Sequence, residues 1–527
     1  MSVIRLSIRD KDRQLVQQPI AANIAVMGLS RRRKFLVLGI CCMSLLIVSM
    51  DTTIINVALP SISDEFGAPI SGLQWTIDAY VVVLASFLLL SGSTADRIGR
   101  RRTFQTGLAV FVCGSLLCSL APSVGWLVAF RMVQALGGSM LNPVAMSIIT
   151  NVFTDPRDRA RAIGIWGGVS GIGIALGPLV GGLLVETVGW RAIFWINLPI
   201  GVVALTAAAL FVPESRSPRA RRFDPIGQLA MVVLLASCVY AIIEAPHAGW
   251  LSVQTLSLLA LAAVALTVLL IHEPRRTDPL IELRFFRSVP FSGATLIAIS
   301  AFGAFGGFLF MNTLYLQTIR GLSPMQAGLC TVPLGLTVLL CSPISGRAVG
   351  RYGPRPSLLL AGTMICLGAG MLLFLTAHTA LVYVLASYLA FGVGQGVVNA
   401  PITNTAVSGM PRSHAGVAAA VATTSRNIGT SLGVAIVGSI LSSHISKMTA
   451  ADFIGASRPA LWVIVGFGSA VFVVGAATTT VRARRTTDRI AHLFPEDESA
   501  GALGGDLRDA GGRTLRVQVD AAGNQRR

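Results

Sequence analysis

Residues 35–59 read FLVLGICCMSLLIVSMDTTIINVAL, and they follow directly on Arg31-Arg32-Arg33-Lys34. The whole run carries one charge, Asp51. An α-helix rises about 1.5 Å per residue, so about 20 apolar residues cross the hydrocarbon core of a bilayer. A helix that is apolar on every side has no wet face to turn outward, and lipid is the solvent that suits it. The basic block before it fits the cytoplasmic surface of such a bilayer.

Outward from this run, the same ruler finds thirteen more. They lie near 73–93, 103–122, 124–146, 161–184, 191–212, 226–244, 253–272, 290–312, 326–346, 357–377, 380–402, 415–441 and 459–480. The composition agrees. Of 527 residues 53% are hydrophobic and 13% charged, against about 25% charged in soluble chains. Charge distribution tests the count independently. With the N-terminus inside, 36 of the 42 Lys and Arg fall on cytoplasmic segments and 4 on outer loops, leaving Arg131 and Arg426 within spans. Dropping or adding a span would destroy this alternation. The expectation is an all-α integral membrane protein with about 14 spans and both termini cytoplasmic.

The formal charge of +18 is spread in short clusters between apolar runs. It has no basic face with interleaved aromatics, so it reads as membrane-facing loops and not as nucleic-acid binding. The eight cysteines all sit in apolar runs and form no CxxC pair, which argues against a metal site or a disulfide framework. None of the six histidines lies mid-span beside an acid, and no GxxxxGK[ST] is present, so neither an enzyme nor an ATP-driven machine is expected.

The chain also repeats itself. Residues 92–102, GSTADRIGRRR, are echoed by 346–356, GRAVGRYGPRP, with Gly92, Arg97, Gly99 and Arg101 matching Gly346, Arg351, Gly353 and Arg355 at a constant offset. Gly138 and Asn142-Pro143 are echoed by Gly396 and Pro401, with Asn399 displaced by one. Two similar halves around a polar site are a common plan of secondary transporters. The expected division is a tail over 1–34, a six-helix bundle over 35–212, a linker with two extra spans over 213–289, a second six-helix bundle over 290–480, and a tail over 481–527. That last tail is rich in Gly, Asp and Arg, a composition of disorder.

Four motifs carry a resemblance. They are Met50-Asp51-Thr52-Thr53-Ile54-Ile55-Asn56-Val57-Ala58-Leu59-Pro60, the loop from Gly92 to Arg102, Arg131-Met-Val-Gln134-Ala-Leu-Gly137-Gly138, and Gly173-Ile-Ala-Leu-Gly177-Pro178-Leu-Val-Gly181-Gly182. Over about residues 35–480 the chain resembles the major facilitator superfamily, specifically its fourteen-spanner drug:proton antiporter branch. Thr94 stands where that family usually has Leu. The resemblance implies a major-facilitator fold of two six-helix bundles with two extra central helices. It also implies a proton-coupled antiporter exporting drugs or other amphipathic, often cationic, compounds, and so antibiotic resistance. It implies no cofactor beyond the proton gradient. The partners would be small molecules, protons and lipid, in a bacterial plasma membrane. A monomer is compatible with this reading, and the oligomeric state stays open. Two other readings remain: an exporter dedicated to one endogenous metabolite or lipid, and a transport-inactive membrane sensor.

The candidate site residues each have two readings. Burial favours the neutral form of Asp51 and a bound cation the ionised form, so it could exchange a proton for a cation; alternatively it caps or hydrogen-bonds near a helix end. Asp78, in Trp75-Thr-Ile-Asp78-Ala-Tyr80, is a substrate or proton site, or a water-facing residue at the outer mouth. Arg131 with Gln134 lies on the family's proton path, or Arg131 forms a structural ion pair or snorkels. Arg426 is a weaker candidate for function. Gly92, Asp96, Arg97, Gly99, Arg100 and Arg101 read as a cytoplasmic gate, by attraction of Asp96 to a helix N-terminus or an Arg. Gly173, Gly177, Pro178, Gly181 and Gly182 read as an antiporter-type bend, or as close helix packing. Glu186 and Glu244 read as solvated loop positions. Trp166, Trp195, Phe302, Phe305, Phe308 and Tyr315 are candidates for an apolar cavity wall, or for lipid-facing belts.

Overall fold

The computed structural model describes residues 30–217, 223–376, 378–408, 415–444, 450–480, 482–483, 485–486, 507–508 and 514–515. Among these, every expected span is a helix. The first half holds α1 (Arg31–Phe66), α2 (Ile70–Ile98), α3 (Arg100–Ser119), α4 (Val124–Val152), α5 (Pro156–Thr187), a single turn α6 (Ala192–Trp195) and α7 (Asn197–Phe211). Then come α8 (Pro225–Ala248) and α9 (Val253–His272). The second half holds α10 (Val289–Leu314), α11 (Pro324–Tyr352), α12 (Pro354–Leu372), α13 (Leu381–Val407), α14 (Ala415–His444) and α15 (Ala450–Thr478). Twelve of these helical segments are apolar and long enough to cross a bilayer by composition alone, counting α6 with α7. The two that fall short are α3, which opens with three arginines, and α14, which is rich in small and hydroxyl side chains.

The termini follow local chemistry. Ser30 accepts a hydrogen bond from the Arg33 amide, so α1 starts at Arg31 and absorbs the basic block that the sequence assigned to the 1–34 tail. Asp155 caps α5 just before Pro156, and Ser323 with Gln326 forms a capping box on α11 just before Pro324. The sixth expected span is two pieces, broken so that Asn197 opens α7. The expected tails lie almost wholly outside the described residues. Within the second, Leu507–Arg508 pairs antiparallel with Thr514–Leu515.

Helices α1–α7 pack chiefly on one another, as do α10–α15. The halves meet along two main seams, α2 against α14 and α5 against α11. Each seam joins the second helix of one half to the fifth of the other, as a repeat of six helices requires. The internal echo in the sequence is structural: Gly99 links α2 to α3 and Gly353 links α11 to α12, each a one-residue joint with positive φ (126° and 80°). The α8–α9 hairpin packs over the α2–α14 seam through Val82, Ala85, Met231, Val239, Leu269 and Ala435.

Candidate functional site

Asp51 stands in the interior of the 36-residue α1, not near a helix end. Its carboxylate is 1% exposed and meets Arg131 Nη1 of α4 at 2.6 Å; Arg131 is equally buried. Gln134 Nε2 donates to Asp51 Oδ1 at 2.8 Å, and Gln134 Oε1 accepts from Arg131 Nη1 at 2.8 Å. Asn197 Nδ2 donates to Asp51 Oδ1 at 3.2 Å and to Ser115 Oγ at 3.1 Å. Arg131 Nε donates to the Thr76 carbonyl at 3.3 Å, and its guanidinium lies 4.1 Å from the centre of the Tyr80 ring. Five helices, α1–α4 and α7, thus converge on one buried ion pair. Close approach makes this possible. A Cβ on Gly114 would stand 2.5 Å from the Gln134 Cα, and one on Gly138 would stand 3.1 Å from the Tyr80 hydroxyl.

A cavity of about 1160 Å³ lies between the halves. Its deep wall includes Thr52, Asn56, Tyr80, Phe305 and Thr430, and it runs to Asp96, Ser147, Gly164 and Ser217 at the end of the molecule that carries the basic loops. The opposite end is shut. Glu186 Oε2 accepts from Ser323 Oγ at 2.6 Å and from the Met325 amide at 3.0 Å, so α5 caps the start of α11 across the halves. Gln317 Nε2 donates to the Val57 carbonyl at 2.9 Å, a second tie between halves. Asp51, Arg131 and Gln134 do not line the cavity; Tyr80, which covers Arg131, does.

Asp78 sits elsewhere, buried in the α2–α14 seam beside Ser431, and its two oxygens have no hydrogen-bond partner of ordinary geometry. It is not at a water-facing mouth. Nearby, Gln74 Nε2 donates to the Ala435 carbonyl of α14 at 2.9 Å. Arg426 lines the cavity, with its Nη2 donating to Thr403 Oγ1 and its guanidinium 5.8 Å from the Phe302 ring centre.

Asp96 pairs with Arg100 at 3.1 Å within its own half and lines the open end of the cavity, so it latches nothing across the halves in this state. Gly92 also lines the cavity, Arg97 is exposed, and the Arg101 amide donates to Glu214 Oε1 at 3.1 Å. Glu214 also accepts from the Ser215 amide at 3.0 Å and lies near the Arg102 side chain. Gly99 is doubly constrained: its φ is 126°, and a Cβ there would stand 2.6 Å from Glu214 Oε1.

The glycines of α5 face two helices. A Cβ on Gly173 would meet Ser49 at 2.8 Å and one on Gly181 would meet Ile54 at 2.7 Å, both on α1, where Gly177 abuts Thr53. Gly182 packs on Pro324 of α11, and Gly328 of α11 packs on Pro178. Among the aromatic candidates, Trp166, Phe302 and Phe305 line the cavity; Phe308 and Tyr315 are core, and Trp195 is exposed. Glu186 and Glu244 are not free loop acids. Glu244 accepts from Trp75 Nε1 at 3.1 Å.

Asn197, Ser115, Tyr80 and Glu214 were not singled out from sequence. A polar side chain opening an apolar run, as in Trp195-Ile196-Asn197-Leu198, was the one signal for Asn197.

Two helical bundles around a shared cavity, with a buried ion pair behind its wall, define a multi-span membrane transporter. Its overall shape is similar to that of a D-xylose–proton symporter, with a TM-score of 0.61 and 15% identity, covering 85% of this chain and 97% of that one. It is likewise similar to a bacterial homologue of the human lysosomal transporter Spinster in an inward-facing, unoccupied conformation, with a TM-score of 0.60 and 18% identity, covering 88% and 99%. Residues 41–434 match the Major Facilitator Superfamily. The chain belongs to that family, and it is a transporter and not an enzyme. It is 37% identical over 404 residues to the multidrug resistance protein Stp of Mycobacterium tuberculosis, covering 77% of this chain and 75% of that protein. It is 35% identical over 405 residues to the tetracenomycin C resistance and export protein of Streptomyces glaucescens, covering 76% and 75%. These relatives are bacterial, and a multi-span chain of this family with such relatives belongs to a bacterial plasma membrane.

Proposed function

We propose that this protein is a proton-coupled antiporter that exports drugs or other amphipathic compounds from a bacterial cell, with no cofactor beyond the proton gradient. The names of the relatives support export of toxic small molecules. The observation that carries the coupling is the Asp51–Arg131 pair, 2.6 Å apart and sealed from the cavity by the Tyr80 ring.

The basic end faces the cytoplasm, and the cavity is open to it. A substrate fills the cavity while Asp51 is ionised and holds Arg131. When the bundles over 35–212 and 290–480 rock and the seam at Glu186 parts, a proton reaches Asp51 from outside. Protonation removes the counter-ion of a buried guanidinium, which is costly in a low-dielectric interior. Arg131 then turns toward the cavity past Tyr80, and the altered wall no longer fits the substrate, which leaves outward. Gln134 and Asn197 hold the neutral carboxyl in place until the proton leaves inward. Asp96, freed from Arg100, forms the cytoplasmic latch of the outward-facing state. The α5 glycines let α5 slide on α1 and α11. Asp78, buried in the α2–α14 seam, is a second proton-accessible acid, and Arg426 takes part in substrate binding.

The test is reconstitution into liposomes with an imposed proton gradient and a panel of amphipathic fluorophores of positive, zero and negative charge. At least one moves against its gradient in the wild type, and none does in Asp51→Asn. Folded, oriented wild type that moves none of them ends this reading.

A further inference from the structure

The deep part of the cavity wall carries hydroxyls and amides but no acid. The acids that line it, Asp96, Asp224 and Asp278, all lie at its basic end. Asp96 is engaged by Arg100, and Asp224 by His272 at 3.0 Å and by Arg276 at 3.8 Å. Among the described residues, the one charged side chain that lines the cavity away from its basic end is Arg426. Among the described residues no acid lies within ion-pair distance of it, Thr403 is its one side-chain acceptor, and its Nε is buried without a partner. On the facing half, Trp166 also lines the cavity, and its indole N–H is buried without an acceptor among the described residues. Both groups can only donate. A half-buried cation without a counter-ion and an orphaned indole N–H are each unfavourable within a membrane span, and a ligand that brings an anionic acceptor into the cavity relieves such costs. The remainder of the wall suits the body of such a ligand. Phe302 lies beneath the Arg426 guanidinium, and Phe305 stands edge-on to it with ring centres 6.4 Å apart.

We propose that this cavity binds amphiphiles bearing an acidic group, a carboxylate above all, which Arg426 and Trp166 hold while Phe302 and Phe305 cover the apolar body. This rests on the export reading and narrows it. It departs from the lipophilic cations expected of the resemblance, because a cation would meet Arg426 with no acid beside it to offset the repulsion. A ligand held by Arg426 on α14 and Trp166 on α5 also touches both halves at once, so its binding is felt by the seam that must open.

The experiment is equilibrium binding to purified full-length protein in nanodiscs of neutral lipid. The probes are 1-pyrenebutyrate, 1-pyrenebutanol and a pyrenylbutyl trimethylammonium salt, which share one apolar body. Wild type binds the carboxylate about tenfold more tightly than the alcohol, the scale of one charge-assisted contact, and the cation most weakly. Arg426→Gln erases the carboxylate's advantage, Arg426→Lys keeps part of it, and Trp166→Phe reduces it. An undiminished carboxylate preference in Arg426→Gln, or a preference for the cation in wild type, overturns the proposal. A second arm repeats the binding with phosphatidylglycerol in the disc. Competition that is present in wild type and lost in Arg426→Gln would assign Arg426 to a lipid phosphate and remove it as a substrate subsite. If alcohol and cation are exported with proton coupling while the carboxylate is not favoured, export stands and this inference alone falls. If no probe binds and none is exported, the export reading falls with it.

Discussion

Replacing Asp51 by Asn tests the buried network. Asp51 Oδ1 and Oδ2 accept from three side chains, Arg131, Gln134 and Asn197, at 2.6, 2.8 and 3.2 Å. An Asn keeps one acceptor and turns an amide N–H₂ toward donors, and it strips Arg131 of its counter-ion. Neutral hydrogen bonds inside membrane proteins are each worth about 0.6 kcal/mol, so three of them give about 2 kcal/mol. Removing one partner of a buried ion pair costs about 3–5 kcal/mol. The second figure decides the expectation, a loss of about 3–5 kcal/mol. The double variant Asp51→Asn with Arg131→Gln removes the orphaned charge and recovers at least about 2 kcal/mol of it, a coupling expected of groups in direct contact. The assay is reversible unfolding in mixed detergent micelles, with wild type and both single variants alongside. Proton-driven export stays lost in the double variant even as stability returns. An Asp51→Asn protein within about 1 kcal/mol of wild type, or strictly additive variants, would refute the reasoning, since the pair would then be neutral or well hydrated.

Other outcomes follow from the geometry. Gly99→Ala places a Cβ against Glu214 at a φ of 126° and should destabilise by about 1–3 kcal/mol; thermal aggregation in detergent measures it, and Glu214→Ala in the same chain should return part of the loss by clearing the clash. Gly177→Leu should abolish export while leaving the membrane-inserted yield measurable, because α5 can no longer lie against Thr53 of α1; transport in vesicles checks this. Glu186→Gln weakens the tie to the Ser323 hydroxyl and the Met325 amide, so a cysteine introduced at Asn56 in a background without native cysteines should react faster with an impermeant maleimide added from outside. Unchanged labelling would show that the seam does not depend on Glu186. Raising external pH at fixed internal pH should slow export, because the proton that breaks the Asp51–Arg131 pair comes from outside; a flat response would remove proton coupling.

The fold was legible because bilayer physics is written in long apolar runs and in the alternation of Lys and Arg. The apolar signal is weakest at α3 and α14, whose arginines and small polar residues dilute it, and charge alternation demands both. The site was legible only in parts. Asp51, Arg131 and Gln134 announce themselves as polar groups in apolar helices, but Asp51 and Arg131 are 80 residues apart, and nothing local says that they touch. Asn197 hides at the start of an apolar run, and Glu214 reads as a loop acid until its carboxylate is found against Gly99 and the Arg101 amide. Asp96 carried a charge pattern that fits a latch, but the pattern does not say in which conformation the latch is engaged.

The α8–α9 hairpin bridges helices that belong to different halves, and its two faces are held differently. On the α2 side it is pinned at both ends, by Gln228 to the Ser86 carbonyl at 2.9 Å and by Glu244 to the Trp75 indole. On the α14 side it rests on Ile428 and Ala435, apolar groups that fix no register. If the halves rock as proposed, the hairpin moves as an outrigger of the first half, with α14 gliding beneath it on apolar contacts. The extra pair of helices would then add mass to one partner of the motion and a low-friction track to the other.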